Sequence, residues 1–319
     1  MKIGGVEISG NLIMPAIAGY SDVGQRALAY RYGAALTFTE MISAKGLVYG
    51  SNHTEDLLMT TDAEPIKCVQ IFGSEPEFIE KAVLHPSLKK FDIIDINCGC
   101  PVHKIVGNGE GSALLKDIPR LKEVVAAAVG AAGSRPVTVK MRLGFSEGDL
   151  TSPEAAKAAE EAGAAAITVH GRRREDFYSG TVDLNGIRET KKAVSVPVFA
   201  NGDITDRESL DRTLAVTGCD GAAIARGALG RPYIFSELAG RQVSVDPGEL
   251  IKEHFSMILK VYPERVATDM MKKHFVYYAK GIRGGKAIKL AAFSAKCARD
   301  IIDAAEELSK QFFSELRRL

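Results

Sequence analysis

Residues 137–170 read VTVKMRLGFSEGDLTSPEAAKAAEEAGAAAITVH. The segment opens on one short apolar run, Val137–Arg142, and closes on another, Ala166–His170. Both are rich in Val, Ile and Thr and lack a polar face, the pattern of a strand covered on both sides in a parallel sheet. Between them, Pro153-Glu-Ala-Ala-Lys-Ala-Ala-Glu-Glu-Ala-Gly163 has helical composition. Ser152 stands where an N-cap is expected, Pro153 suits the first turn, and Gly163 suits the end. Strand, helix and strand in this order make one βαβ unit.

The same rhythm runs outward in both directions. The runs Leu12–Ala16, Ala35–Glu40, Ile66–Phe72, Ile93–Asn97, Val198–Asn201 and Gly221–Ala225 complete a set of eight strands within the first 240 residues. A second helix is expected over Glu208–Val216, behind Thr205 and Asp206. Eight strands alternating with helices predict an α/β fold, a (β/α)8 TIM barrel. An open doubly wound sheet is the alternative, but no Gly-x-Gly-x-x-Gly follows the first strand. From Gly240 the rhythm stops. Arg241–Pro247 reads as a linker, and Phe255, Ile258, Leu259 and Tyr262 fall on one helical face. Gly281–Gly285 breaks this region in the middle. The expected organisation is a barrel over residues 1–240 followed by a small all-α domain over residues 241–319.

Composition sets outer limits. The chain has 319 residues, of which 46% are hydrophobic and 25% charged, so disorder or a coiled coil cannot account for the whole. No apolar run approaches the roughly 18 residues of a membrane span, and the N-terminus has no signal-peptide core. Five cysteines, an odd number, fit reduced thiols in a cytoplasmic protein better than a disulfide framework. The net charge of +1 hides an asymmetry. Residues 241–319 carry fifteen Lys and Arg against ten Asp and Glu, while residues 1–240 carry twenty-six against thirty. Between Asp269 and Asp300 there is no acidic residue, but there are Lys272, Lys273, Lys280, Arg283, Lys286, Lys289, Lys296 and Arg299. A solvated face usually mixes signs, so this stretch reads as a polyanion surface.

In such barrels the chemistry sits at the C-terminal ends of the strands. The strand ends therefore name the candidate site: Glu40, Gln70, Asn97 with Cys98 and Cys100, Lys140 with Arg142, His170, Asn201 with Asp203, and Arg226. Polar groups at the ends of apolar strands are costly unless they share a site. The loop Ala225-Arg-Gly-Ala-Leu-Gly-Arg-Pro232 follows the eighth strand, where barrels commonly bind phosphate, and Asn201-Gly-Asp203 follows the seventh. Cys98 and Cys100 lack a second Cys or His pair at metal spacing, so no metal is expected and one reactive thiol is the better reading.

These residues resemble a known family, the tRNA-dihydrouridine synthases, flavin enzymes that reduce uridine in transfer RNA. The likeness runs from Ile13 to about Ala291. It rests on Ala18–Asp22 (Ala-Gly-Tyr-Ser-Asp), Glu40-Met-Ile-Ser-Ala-Lys45, Gln70-Ile-Phe-Gly73, Asn97-Cys-Gly-Cys-Pro101, Val139-Lys-Met-Arg-Leu-Gly144, Val169-His-Gly-Arg172, Asn201-Gly-Asp203 and Ala225–Pro232, in that order. The first strand departs from the family by reading Pro15-Ala-Ile-Ala18 where Ala-Pro-Met-Ala is usual. The resemblance implies an FMN-bearing barrel, NADPH or NADH as reductant, and a helical domain that binds tRNA, with no membrane and no protein partner. It places Ala16, Ile17 and Ala18 along the flavin, Gln70 and Lys140 at its polar edge, and His170 near it. Asn201, Gly202, Asp203, Ala225 and Arg226 would hold its ribityl phosphate arm. Cys100 would be the active-site acid, and Asn97 would help to place the uracil. Arg142, Arg172 and Arg174 would lie toward the tRNA, with Lys272, Lys273, Lys286, Lys289 and Lys296 on the RNA surface. Two other readings compete: an FMN barrel acting on a free small molecule, in the manner of a dihydroorotate dehydrogenase or an ene-reductase, and a non-catalytic RNA-binding barrel. The basic C-terminal stretch argues against the first, and the retained polar set argues against the second.

Overall fold

The computed structural model describes residues 1–317. Eight parallel strands close a barrel: β1 (Leu12–Met14), β2 (Leu36–Ser43), β3 (Cys68–Phe72), β4 (Ile93–Cys98), β5 (Val137–Arg142), β6 (Ala166–His170), β7 (Val198–Asn201) and β8 (Gly221–Ala223). β8 pairs with both β7 and β1, which closes the ring. This is the expected (β/α)8 barrel. β5, β6 and β7 have the expected limits, and β1 and β8 are shorter, because the chain after Met14 and Ala223 turns into loops over the mouth.

Two local expectations are corrected. Glu40 does not end β2, which continues to Ser43 past an irregularity between Phe38 and Met41. There the Thr39 hydroxyl donates to the Glu40 carbonyl and accepts from the Gln70 amide, standing in for the interrupted ladder. Ser152 does not cap its helix either. It is the first residue of Ser152–Glu161, and its hydroxyl pairs at 2.7 Å with the Thr190 hydroxyl of the next helix, both buried. The helix Arg207–Thr217 starts at Asp206, whose carboxylate accepts from Ser209 in a reciprocal capping box.

Strand side chains alternate between two environments. Val69, Ile71, Ile94, Ile96, Cys98, Val139, Met141, Ile167 and Val169 enter the core between barrel and helices. Cys68, Ile93, Ala166, Phe199 and Ala223 point inward and fill the lower barrel with Ile3 and Ile8 of the N-terminal segment. The next inward positions up each strand are polar: Gln70, Asp95 and Asn97, then Lys140 and Arg142, His170 and Asn201. The bottom of the barrel is thus a packed apolar floor and its top a polar cup.

Beyond the barrel lie four helices, Pro247–Leu259, Glu264–Tyr278, Gly285–Phe293 and Ala298–Leu316. Asp246 caps the first, and Gly281 and Gly284 take positive φ at the expected break. Phe255, Ile258, Met271, Phe275, Ile301 and Leu308 form a separate core, joined by Leu28 from the helix after β1, Val23–Arg31. Among the described residues no helix is long and apolar enough to cross a membrane.

Candidate active site

One half of the polar cup is a connected network. Thr138 Oγ1 donates to Asp95 Oδ1 at 2.6 Å, and Gln70 Nε2 donates to Asp95 Oδ2 at 2.6 Å. Gln70 Oε1 accepts from Asn97 Nδ2 at 2.7 Å. Asn97 Oδ1 accepts from the backbone N–H groups of Gly99 at 3.1 Å and Cys100 at 2.9 Å. The Cys100 carbonyl accepts from the N–H and hydroxyl of Ser112, at 3.1 and 2.8 Å. The loop carrying Cys100 is therefore fixed from both sides. Gly111 must be glycine there: its φ is +62°, and a Cβ would lie 3.0 Å from the Cys100 carbonyl oxygen.

Electrostatics follow from burial. Asp95 is buried, and loss of solvent raises its pKa to about 6, although Thr138, Gln70 and Lys140 pull it down. Lys140 makes no ion pair or hydrogen bond among the described residues. Burial and the Arg142 cation push it down to about 8, with Asp95 acting in the opposite direction. Burial raises the Cys100 thiol above its ordinary value, opposed by the Val102 backbone, Arg142 and Lys140. The thiol is consequently protonated at neutral pH, not the near-neutral titrating group that free acid catalysis would favour. Cys98 has the opposite parity on β4: it lies in the outer apolar core, and burial holds its thiol far above the usual range. It takes no part in the cup.

The other half of the mouth is cationic. His170 is buried, and desolvation together with Lys140, Arg142, Arg172 and Arg226 holds its pKa well below 6.5, so the ring is neutral. Asp203 is a carboxylate facing Arg172 and Arg226. It pairs with Arg172 Nη1 at 3.1 Å and with Arg226 Nη2 at 2.6 Å, and both lower its pKa. Asp203 has φ +48° and Gly202 φ +137°, so the turn after β7 presents backbone in a conformation few residues adopt. Asn201 Nδ2 donates to the Ala223 carbonyl at 2.7 Å and ties this turn to β8. Arg226 opens a short turn, Arg226–Ala228, beside Ala225. Next to it, Ala16, Ile17 and Ala18 form the loop after the neighbouring strand, β1, held by Ser21 Oγ on the Ile17 N–H at 2.7 Å.

The structure thus brings Ala16–Ala18, Gln70, Asn97, Cys100, Lys140, His170, Asn201–Asp203, Ala225 and Arg226 to one end of the barrel. Two residues expected to face RNA are committed elsewhere. Arg142 is buried and donates to the carbonyls of Gly99, Arg173 and Phe177, each at 2.8 Å. Arg172, also buried, spends its donors on Ser179, Gly180 and Asp203. Arg174 lies further out, against His103 and the rings of Phe145 and Phe177. Lys272 is paired with Asp269 at 2.7 Å. Lys273, Lys286, Lys289 and Lys296, with Lys280 and Arg283, have no carboxylate within ion-pair distance among the described residues. Sequence reasoning missed Asp95 and Thr138, although each lies two residues before a chosen residue on the same strand face. It also missed Tyr178, whose exposed ring lies under Arg142 and Arg226 at 5.6 and 5.1 Å.

Among the described residues the one His/Asp/Glu/Cys cluster within metal-binding range is Asp22, His254 and His274, away from the cup. All five cysteines are free thiols.

Comparison with known proteins agrees with this geometry. A family model described as dihydrouridine synthase (Dus) matches residues 13–315. A probable tRNA-dihydrouridine synthase of Rickettsia conorii is 37% identical over 293 residues, 88% of each chain. A tRNA-dihydrouridine synthase B of Pseudomonas putida is 34% identical over 333 residues, covering 100% of this chain and 96% of its own. Among solved structures, morphinone reductase superposes with a TM-score of 0.55 over 77% of this chain and 90% of its own, at 11% identity, a likeness of fold alone.

Proposed function

Because this chain belongs to the dihydrouridine synthase family, we propose that it reduces specific uridines of tRNA to 5,6-dihydrouridine, with Cys100 as the proton donor to C5. The observation that carries the reading is the Cys100 thiol on a loop fixed from both sides at the rim of a cup that, among the described residues, holds an unpaired Lys140.

The residues present fit FMN. An ammonium without a partner, a neutral imidazole ringed by four cations, and a turn with exposed strained backbone suit a flavin with a phosphate tail. Gln70 and Lys140 would hold the polar edge of the ring, and Ala16–Ala18 would lie along it. Asn201–Asp203, Ala225 and Arg226 would hold the phosphate arm. When bound and reduced by NADPH or NADH, FMN supplies the hydride that goes to uracil C6. The chain supplies the rest. Cys100 gives its proton to C5, and the thiolate left behind faces Arg142 and Lys140, which favour the anion. The thiolate regains its proton from solvent. Asn97 acts chiefly by holding the Cys100 loop, since its amide oxygen is already used twice. Arg142 and Arg172 order the loops of the mouth instead of meeting RNA.

A uridine inside folded tRNA must leave its stack to enter the cup, at a cost of a few kcal/mol. The unpaired cations Lys273, Lys286, Lys289 and Lys296 would offset this by meeting phosphates, making residues 241–319 the RNA-gripping domain and residues 1–240 the catalytic one. The setting is cytoplasmic, where tRNA and reduced nicotinamide are found together. The test is a single-turnover reaction of the flavin-loaded, photoreduced protein with unmodified tRNA under anaerobic conditions. Flavin reoxidation with dihydrouridine found by mass is the expected result. A stable reduced flavin in the presence of tRNA would overturn the reading.

A further inference from the structure

A buried polar cluster outside the cup joins the barrel to the C-terminal helices, and its role is not explained by the chemistry above. Asp22, in the loop after β1, is fully buried and caps the helix Val23–Arg31 by accepting from Gly24 and Gln25, each at 3.0 Å. Its Oδ1 also meets His254 Nε2 at 2.9 Å, and its Oδ2 meets His274 Nε2 at 2.6 Å. His254 lies on the helix Pro247–Leu259 and His274 on Glu264–Tyr278. One carboxylate therefore clamps three helices. Burial pushes the Asp22 pKa up, but the two imidazoles more than offset it and hold it well below the usual range. Burial pushes His274 down to about 4 against the pull of Asp22. His254 and His274 each present Nε2 to the ionised Asp22 carboxylate. His254 Nδ1 lies 2.9 Å from the Tyr278 hydroxyl, within hydrogen-bond distance.

The composition is that of a metal site, but the spacing is not. Ligands about 2 Å from a tetrahedral metal stand roughly 3.3 Å apart. The Asp22–His274 separation of 2.6 Å is that of a hydrogen bond.

What the clamp holds in place lies on the next residues. His274 is flanked by Lys273, a cation without an ion pair among the described residues, and lies near Tyr277 on the same helix. The Tyr20 ring, two residues from Asp22, meets His274 and Tyr277 edge-on at 5.4 and 5.3 Å, and Lys273 Nζ lies 5.7 Å from its centre. Gly19, beside Tyr20, donates its N–H to Glu40 on β2. Tyr20 N–H donates to the carbonyl of Ile17 at 2.9 Å. A short chain of touching groups therefore leads from a basic helix to the loop lining the cup. The approach is close: a Cβ on Gly24 would overlap the His254 ring, and one on Gly230 would lie 2.6 Å from the Tyr277 carbonyl oxygen.

We propose that the Asp22–His254–His274 clasp sets the register between the RNA-gripping helix and the mouth of the barrel, and that His274 is a positioning residue for tRNA. The inference rests on the tRNA reading above.

The experiment compares wild type, His274→Phe, His274→Gln and the milder Tyr278→Phe in the full flavin-loaded protein. Gln keeps an amide N–H within reach of Asp22 Oδ2, whereas Phe fills the space without a donor. For each protein, flavin content, the rate of flavin reduction by NADPH, and KM and kcat for tRNA are measured. The expected result is a tenfold or greater rise in KM for tRNA in His274→Phe, unchanged flavin reduction, and recovery to within about threefold in His274→Gln. Tyr278→Phe is expected to raise KM by a smaller factor, and it carries the test should His274→Phe not fold. Wild-type KM in both aromatic variants would overturn the inference alone, as would an equal loss of flavin content and every rate in the Phe and Gln variants. A wild-type protein that forms no dihydrouridine in tRNA would overturn the functional reading and the inference with it.

Discussion

Replacing Asp95 by Asn should make this protein more stable and less active. Asp95 is buried, and its pKa stands near 6 against an ordinary 3.8. For a carboxyl group whose folded pKa is raised, the native state holds the proton more tightly than the unfolded chain. The group therefore costs nothing in acid, and its cost accrues as pH rises from about 4 to about 6. Two pKa units correspond to about 3 kcal/mol, the penalty at pH 7 for keeping this carboxylate ionised inside the barrel. Asn avoids the penalty and can keep both hydrogen bonds, accepting from Gln70 and donating to the Thr138 hydroxyl, which can rotate to accept. The Asn variant should be more stable than wild type by about 1–3 kcal/mol at pH 7, with the gap closing toward pH 4. Activity should move the other way. Lys140 loses the anion that opposes its desolvation, its pKa falls below about 8, and its charge is lost sooner as pH rises. Urea unfolding at several pH values and the pH profile of single-turnover tRNA reduction measure the two effects. An Asn variant less stable than wild type at pH 7, or a gap that does not change between pH 4 and 7, would refute the reasoning.

Further outcomes follow from the same geometry. Alanine at Lys286, Lys289 and Lys296 together should lower tRNA affinity and reduce the slope of log affinity against log salt by about one for each phosphate left without its lysine, whereas Lys272→Ala, which removes a cation already paired with Asp269, should change it less in a filter-binding assay. Cys98→Ala should leave the rate of uridine reduction unchanged and cost about 1 kcal/mol in unfolding experiments, because the thiol packs in the outer core. Gly24→Ala should lower stability by about 1–3 kcal/mol in the same assay, since the new methyl overlaps the His254 ring.

The barrel was legible because buried parallel strands are near-continuous apolar runs, and polar residues at their ends mark the mouth. Gln70, Asn97, Lys140, His170 and Asn201 were found that way, and all lie in the cup. Asp95 was not, because it stands inside a run and its inward direction emerges only when the alternation of β4 is counted from Ile93. The same count separates Cys98 from Asn97. Arg142 and Arg172 looked like free cations in the sequence, but Arg142 spends its donors on carbonyls of distant loops and Arg172 on the Asp203 carboxylate and the carbonyls of Ser179 and Gly180, which spacing does not reveal. The Asp22 clasp was hidden for the same reason: its partners lie more than two hundred residues away, and single histidines in amphipathic helices carry no signal of their own. The helical region was legible as helices from the periodicity of Phe255, Ile258, Leu259 and Tyr262, but its docking through Gly24 and Gly230 was not.

The central claim is that Cys100 delivers a proton to a tRNA uridine. It is tested most directly by reacting reduced, flavin-loaded Cys100→Ala with unmodified tRNA in a single turnover beside wild type. The account predicts normal flavin content and tRNA binding, with dihydrouridine formation slowed at least a hundredfold, in line with the roughly 10²–10⁴ that a positioned general acid typically contributes. Dihydrouridine formed by Cys100→Ala at the wild-type rate would contradict it.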